Sequence, residues 1–513
     1  MTDTQSFPAG QTDDDRLRQL LHPHDWPTPQ RGRTWQLLVI GGGTAGLVAA
    51  AGAAGVGAQV AMIEQNLLGG DCLNTGCVPS KALISTARQA AAVRNAAEFG
   101  IVGTEAARVD FSAVMQRMRS LREQIAPHDS AERFRQLGVD VFFGSATFTG
   151  PASIELNGVP LNFHRAIIAT GGQPLIPAIP GLSESAYLTT ETLFQIQQLP
   201  EHLVVLGGGP IGTEMAQTFA RFGARVTLIE SGAQILNRED SDAAALMQQQ
   251  LEQHDGVDVL LNCRLLQVST TAGITQLVLS QNDQTRKISC DQLLVAVGRE
   301  ARVSSLNLGA AGVDLTPDGL IRVNDFLQTS NSAIYAAGDV CTKLRFTHLA
   351  DRMSRIAIRN SLFAGRARFS KLQIPRCTYT SPEIAQVGID PATAARAGIL
   401  LDTFTEPFAA NDRAVLAGCP TGFVRIHVRR GTDRILGAVI VGAHAGELIS
   451  EVSTAMAGRI GLRRLADIIH PYPTQADAIR RIGDQYMRTR LTPFASRTLK
   501  RWLNWRFRPD QSR

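Results

Sequence analysis

One pattern constrains this chain more than any other, and it occurs twice. The apolar run Trp35-Gln36-Leu37-Leu38-Val39-Ile40 leads into Gly41-Gly42-Gly43-Thr44-Ala45-Gly46. A small-residue stretch follows, then Gln59-Val60-Ala61-Met62-Ile63, closed by Glu64. Further on, Leu203-Val204-Val205-Leu206 leads into Gly207-Gly208-Gly209-Pro210-Ile211-Gly212, and then into Arg225-Val226-Thr227-Leu228-Ile229, closed by Glu230. Each copy predicts a buried strand, a tight turn, a helix and a second strand. In the first copy Gly41 permits the turn, Gly43 lets the backbone approach a pyrophosphate, and Gly46 lets the helix pack on the strand. The helix N-terminus faces the phosphates and Glu64 accepts from ribose hydroxyls. Gly207, Gly209, Gly212 and Glu230 repeat those roles. Two complete copies predict two dinucleotides, or one dinucleotide and a flavin.

Between the copies stands Gly69-Gly70-Asp71-Cys72-Leu73-Asn74-Thr75-Gly76-Cys77-Val78-Pro79-Ser80-Lys81. Residues five apart in an ideal helix are separated by roughly 7.5 Å of rise. A disulfide needs Cα atoms within about 7 Å. A Cys72–Cys77 bond therefore needs distorted backbone, which Gly70 and Gly76 can supply. Pro79 then suits the start of a regular helix. A thiol pair beside a nucleotide site is a candidate redox centre. Seven cysteines occur in all. The odd, sparse set argues against a secreted disulfide framework, and Cys263, Cys290, Cys341, Cys377 and Cys419 are expected to be buried apolar residues.

The formal net charge of +5 sits in the tail, where Arg497, Lys500, Arg501, Arg506, Arg508 and Arg513 face one acid, Asp510. The body is near neutral and carries no electrostatic footprint for nucleic acid. One charge-free run, Leu37 to Ile63, is long enough to span a bilayer, but it is rich in glycine and alanine and reads as strand, turn, helix and strand. Asp13-Asp14-Asp15 near the N-terminus lacks a signal-peptide pattern, so cytoplasmic residence is expected.

Two strand-to-glycine stretches, Arg165 to Gly172 (with Gly171) and Leu293 to Arg299 (with Gly298), read as crossings between the nucleotide domains. Ala333-Ile334-Tyr335-Ala336-Ala337-Gly338-Asp339 is a buried strand ending in a close-approach glycine, Gly338, and a carboxylate, Asp339, suited to a cofactor's hydroxyls. A helix N-cap is the plainer use of such an aspartate. From about Leu372 short alternating strands such as Gly422 to Val428 mark a separate α+β domain.

These residues resemble the class I pyridine nucleotide–disulfide oxidoreductases, among them lipoamide dehydrogenase, glutathione reductase and mercuric reductase. The resemblance runs from Gln36 to Arg490 and rests on Gly-Gly-Asp-Cys-x4-Cys-Val-Pro-Ser-Lys, on Ala-Gly-Asp-Val and on the second glycine-rich loop. It implies an α/β chain with two Rossmann-like domains, for FAD and NAD(P), plus a C-terminal α+β dimerisation domain, and hence a homodimer. The layout is an extension over 1–34, FAD domain over 35–190, NAD(P) domain over 191–298, FAD domain again over 299–371, dimerisation domain over 372–490 and a basic aromatic tail over 491–513. By motif position Cys72 resembles the thiol that meets the acceptor, Cys77 the flavin-side thiol, Asp339 the ribityl contact, and Lys81 with Glu214 the ion pair near the flavin. Without the resemblance Glu214 is a helical acid two residues past Gly212. Hydride would pass from NAD(P)H to FAD, and FAD would reduce Cys72–Cys77. No resident metal site is assigned.

The chain departs from the disulfide-reducing members in one segment. They carry a histidine immediately before Pro-Thr, with an acid five residues after it. Here His470-Pro471-Tyr472-Pro473-Thr474-Gln475-Ala476-Asp477 puts Tyr472 in the histidine's place and Asp477 in the acid's, with His470 two residues early. A phenol with pKa near 10 is a poor proton acceptor at neutral pH, whereas histidine near 6.5 suits the task. Tyrosine there resembles the mercuric reductase branch, so a mercuric-reductase-like enzyme is expected, its acceptor a soft metal ion such as Hg(II), a small disulfide, a quinone or oxygen. Dihydrolipoamide dehydrogenase is the alternative enzyme, and a flavin–thiol redox sensor the alternative outside catalysis. Against mercury stands the absence of a cysteine pair near the C-terminus and of a CxxC before Cys72. His470 otherwise reads as a helix C-cap ahead of Pro471. Glu230 favours an unphosphorylated ribose, so NADH is expected over NADPH. The tail Leu499 to Arg508 suits either weak contact with an anionic membrane surface or a dimer-edge helix with a solvated basic face.

Overall fold

The computed structural model describes residues 13–271, 273–363 and 365–507. The first 12 residues of the expected extension, and Arg508, Asp510 and Arg513 of the tail, lie outside the described residues. The chain forms two compact units, one running through residue 236 and resuming over 251–372, the other made of 237–250 and the chain from 373.

The first unit is built on two sheets with parallel cores. In the larger, strands run in the order Val139–Phe143, Val60–Glu64, Thr34–Ile40, Val159–Ile168, Ser153–Leu156, Ala146–Gly150, and Ile334–Ala336 pairs with Val159–Ile168. The strand Thr34–Ile40 is central and parallel to both neighbours. Leu37, Leu38 and Val39 are fully buried, which is why this strand reads as a continuous apolar run rather than an alternating one. The smaller sheet has the order Asp258–Leu260, Arg225–Ile229, His202–Leu206, Gln292–Val295. An antiparallel sheet of three strands spans Cys263–Thr271, Ile274–Gln281 and Gln284–Cys290. The two crossing stretches meet: Gly172–Pro174 pairs with Arg299–Ala301.

Each glycine-rich loop joins a central strand to a helix, Thr44–Gly55 in the first copy and Pro210–Phe222 in the second. The extension packs on the first unit over its described part. Its helix, Asp13–Leu21, buries Leu17 and Leu21.

The second unit carries a five-stranded antiparallel sheet ordered Arg376–Thr378, Glu383–Gly388, Ile435–Gly442, Phe423–Arg429, Leu401–Pro407. Its core joins Val424, Ile426 and Ile440 of the sheet to Ile449 of the helix Ala445–Ala457 and to Ile479 and Ile482 of the helix Asp477–Arg490. The α/β plan with a following α+β unit is the one the sequence predicts. The tail forms a helix, Pro493–Arg506, none of whose residues is buried. Among the described residues no helix is long and apolar enough to cross a membrane.

Two of the five remaining cysteines, Cys263 and Cys290, are buried as expected, but Cys341, Cys377 and Cys419 are only partly covered. Cys341 follows the Gly338 turn and donates to the Gly338 carbonyl, Cys377 lies on an edge strand, and Cys419 follows the short helix Asp412–Leu416.

Candidate active site

The backbone around the cysteines is broken where the sequence requires it. A short helix, Gly70–Asn74, carries Cys72, and a second, Cys77–Arg94, starts at Cys77. Gly70 lies in the left-handed region at φ 56°, and a Cβ on it would stand 2.6 Å from the Gly43 Cα. Gly76 has negative φ; it is glycine because a Cβ would stand 2.8 Å from the Asp71 carbonyl oxygen. The second helix begins two residues earlier than the Pro79 start expected. Pro79 is tolerated there because the first-turn N–H groups have no helical partners. Cys77 thereby sits at the helix N-terminus, where the macrodipole favours an anion.

Cys72 and Cys77 stand as thiols hydrogen-bonded to each other. The Cys72 thiol donates, which raises its own pKa, with burial adding to the rise. Cys77 is held down to about 6, first by that hydrogen bond, then by the Thr347 hydroxyl and the Lys81 charge, against the opposing effect of burial. Thr347 Oγ1 is 3.4 Å from the Cys77 sulfur. Cys77 is therefore the stabilised thiolate, the reactive form of the group. Lys81, one turn along the same helix, donates to Glu214 at 2.9 Å, and Glu214 is buried on the helix that follows the second glycine-rich loop.

Both sulfurs line a cavity of about 570 Å³. Gly41, Gly43, Glu64, Gly171, Gly338 and Asp339 line it as well. Gly46 lies beneath the loop rather than in its wall: a Cβ there would come 1.7 Å from the Gly41 carbonyl oxygen. Gly41 has φ 108°, and its own Cβ would meet the Ala169 carbonyl oxygen at 2.3 Å. Glu64 accepts from the Gly42 and Asn66 amides at 2.6 and 2.7 Å; burial raises its pKa against those bonds. Burial likewise pushes Asp339 up to about 6, with Arg299 and Arg345 opposing. Asp339 is not a helix N-cap; the next helix begins at Thr347. A bare-backbone cradle, an acid at the strand end and a thiolate in one cavity fit a flavin dinucleotide.

The second loop repeats the geometry. Gly207 has φ 111°, a Cβ on Gly212 would stand 1.9 Å from the Gly207 carbonyl oxygen, and Glu230 accepts from the Gly208 and Gly232 amides at 2.8 and 2.7 Å. A Cβ on Gly209 would meet nothing within 4 Å. Gly298, in the crossing stretch, has φ 142°.

Tyr472 and Asp477 lie in the second unit. Tyr472 is 74% exposed, and its hydroxyl donates to Asp412 at 2.9 Å, a bond that raises its pKa. Asp477 is held by Arg480 and Arg481 at 2.8 and 2.7 Å; burial would raise its pKa, but those guanidinium bonds carry it below the usual carboxylate range. The phenol is thus tied to Asp412 rather than to Asp477. His470 is not a helix C-cap: its side chain is buried, facing Glu451 at 2.8 Å and the Ile468 carbonyl at 3.0 Å, while the helix ends at Ala466.

Three groups in the cavity wall carry no motif of their own and are found only in the folded chain. Thr347 reaches Cys77 from a distant helix. Arg299 binds Asp71 and the Gly172 carbonyl. Arg302 pairs with Glu191 at 2.6 Å. The two arginines follow Gly298 in the crossing, the one available signal.

The family model described as pyridine nucleotide-disulphide oxidoreductase matches residues 35–354, and that of the family's dimerisation domain matches 374–482. The chain is 32% identical over 448 residues to a mercuric reductase of Lysinibacillus sphaericus, covering 87% of this chain and 81% of that protein. It is equally 32% identical over 465 residues to a dihydrolipoyl dehydrogenase of Bacillus subtilis, covering 87% and 96%. The Cu(II) complex of the HOCl-induced flavoprotein disulfide reductase RclA from Escherichia coli superposes with a TM-score of 0.78 at 28% identity, over 88% of this chain and 100% of that one. LpdA from Mycobacterium tuberculosis does so at 0.80 and 27%, over 88% and 99%. The dimerisation-domain match supports a homodimer. The chain belongs to the pyridine nucleotide-disulphide oxidoreductases, enzymes that bind FAD and take electrons from NAD(P)H.

Proposed function

We propose that this enzyme uses NADH to reduce a soft metal ion taken up by the Cys72 and Cys77 sulfurs. The balance is simple: NADH gives two electrons and releases a proton, and a divalent ion such as Hg(II) leaves as the neutral metal. FAD, held by the Gly41–Gly46 loop, Glu64 and Asp339, supplies the two-electron relay between nicotinamide and sulfur. The chain's own residues do the rest. The Cys72 hydrogen bond, the Thr347 hydroxyl and the Lys81 charge keep Cys77 as thiolate, and Cys72 is the sulfur that meets the acceptor. Glu230 takes the unphosphorylated ribose of NADH.

The observation that carries this reading is Tyr472. A mixed disulfide releases its thiol only when a proton is delivered, and a neutral phenol tied to Asp412 is poorly suited to exchange one near pH 7. His470 offers no substitute, being buried against Glu451. Transfer of electrons to a metal held by two thiolates makes no such demand. The mercuric reductase relatives and the copper-bound neighbour are in keeping with it.

The test is acceptor choice by the flavin-loaded enzyme with NADH. Hg(II), presented with excess small thiol, should be turned over about 100-fold faster than lipoamide. Tyr472→His should raise lipoamide reduction roughly tenfold. Lipoamide turnover equal to that of Hg(II) in the unmodified enzyme would sink the proposal.

A further inference from the structure

The flavin cavity takes part of its wall from a segment outside the family match. That match begins at residue 35, yet Arg18 and His22 line the cavity with Glu64, Gln65 and Asn66. The segment is anchored in the first unit. Leu17 and Leu21 are 2% and 0% exposed, and the Leu21 carbonyl accepts from the Leu68 amide. The His22 ring stacks on Phe143 with centroids 4.1 Å apart and bonds to the Asn66 carbonyl. Trp26 Nε1 donates to the Val141 carbonyl at 2.9 Å. Val141 and Phe143 belong to the strand paired with Val60–Glu64, so all these contacts gather where Glu64 stands. In a dinucleotide fold that is the adenosine end.

We propose that residues 13–26 form a strap over the adenosine end of bound FAD, with Arg18 supplying a cation to its diphosphate and His22 fixing the strap in place. The helix turns its two arginines to different uses. Arg16 pairs with Glu123 at 3.7 Å, whereas Arg18 lies in the cavity wall. A guanidinium presents paired donors that match phosphate oxygens. Glu64 takes the ribose and Arg18 the charge beside it. The assignment is independent of which acceptor the enzyme reduces.

The experiment is a titration of apoprotein with FAD, followed by flavin fluorescence. Arg18→Ala should weaken FAD binding about tenfold, and Arg18→Lys by less. Arg16→Ala, on the same helix but out of the cavity, should stay within about twofold. ADP, which lacks the flavin half, should lose the same factor as FAD on Arg18→Ala. The melting temperature of the Arg18→Ala apoprotein should match the unmodified one, separating loss of a contact from loss of fold. An Arg18→Ala affinity for FAD within about twofold of the unmodified chain would overturn the strap. Unchanged ADP binding would overturn its placement at the adenosine end.

Discussion

The two glycine-rich loops are near-duplicates in backbone and differ in their surroundings. Gly41 and Gly207 share a similar positive φ, Gly46 and Gly212 the same close approach, and Glu64 and Glu230 matching pairs of amide donors. The first loop is walled: Gly70 packs against Gly43, and residues from Arg18 to Ala350 line the cavity around it. The second is open, with Pro210 exposed and nothing near a Gly209 Cβ. The difference predicts two residence times: the walled site suits a group that stays, and the barer one a nucleotide that leaves after each turnover.

The sharpest way to break this comparison is the same substitution in both loops. Gly46→Ala forces a contact at 1.7 Å and Gly212→Ala one at 1.9 Å, each costing about 1–3 kcal/mol or more. Purified Gly46→Ala should be nearly colourless, with flavin content down roughly tenfold or more. Gly212→Ala should stay yellow and lose about 100-fold in kcat/KM for NADH. Flavin loss from both alike would dissolve the distinction. A smaller effect is expected at Glu230. The unmodified enzyme should prefer NADH, and Glu230→Ser should cut the NADH to NADPH ratio of kcat/KM by about tenfold, near 1.4 kcal/mol. A ratio unmoved by the change would remove Glu230 from nucleotide choice. An effect of similar size lies at Lys81–Glu214. Cys77 titrates at about 6, so its thiolate is present above that pH and is lost as pH falls through it. Lys81→Met should raise the midpoint of Cys77 alkylation by about one unit, and Glu214→Gln should lower it. Shifts of the same sign would contradict the charges assigned to the pair.

Much of this is legible in the sequence because local motifs encode local backbone. The strand ending at Ile40, the left-handed Gly41 and the acid at Glu64 all lie within one supersecondary unit. Lys81 and Glu214 are far apart in sequence and are linked there only by resemblance; the geometry then pairs them at 2.9 Å. What the sequence hides is set by tertiary packing. Thr347 reaches Cys77 only because its helix lies beside Thr44–Gly55, and nothing in its own sequence says so. The extension is polar and proline-broken, yet Leu17, Leu21 and Trp26 suffice to seat it. The cysteine helix starts two residues ahead of Pro79 because proline at a third helical position costs as little as at the first.

The pairing of Ile334–Ala336 with Ala166–Ile168 has a consequence for biosynthesis. Every strand of the second parallel sheet is made between these two partners. A nascent chain therefore holds the Ala166–Ile168 edge unpaired while the whole nucleotide-binding insertion emerges. Asp339, Thr347 and Ala350, all in the cavity wall, come later still. Sequential folding from the N-terminus cannot finish this half first, contrary to the general tendency of multidomain chains. FAD, whose cavity needs residues made before and after the insertion, then acts as a late mass-action clamp on assembly. Flavin supply during growth should govern the yield of folded enzyme as well as its colour.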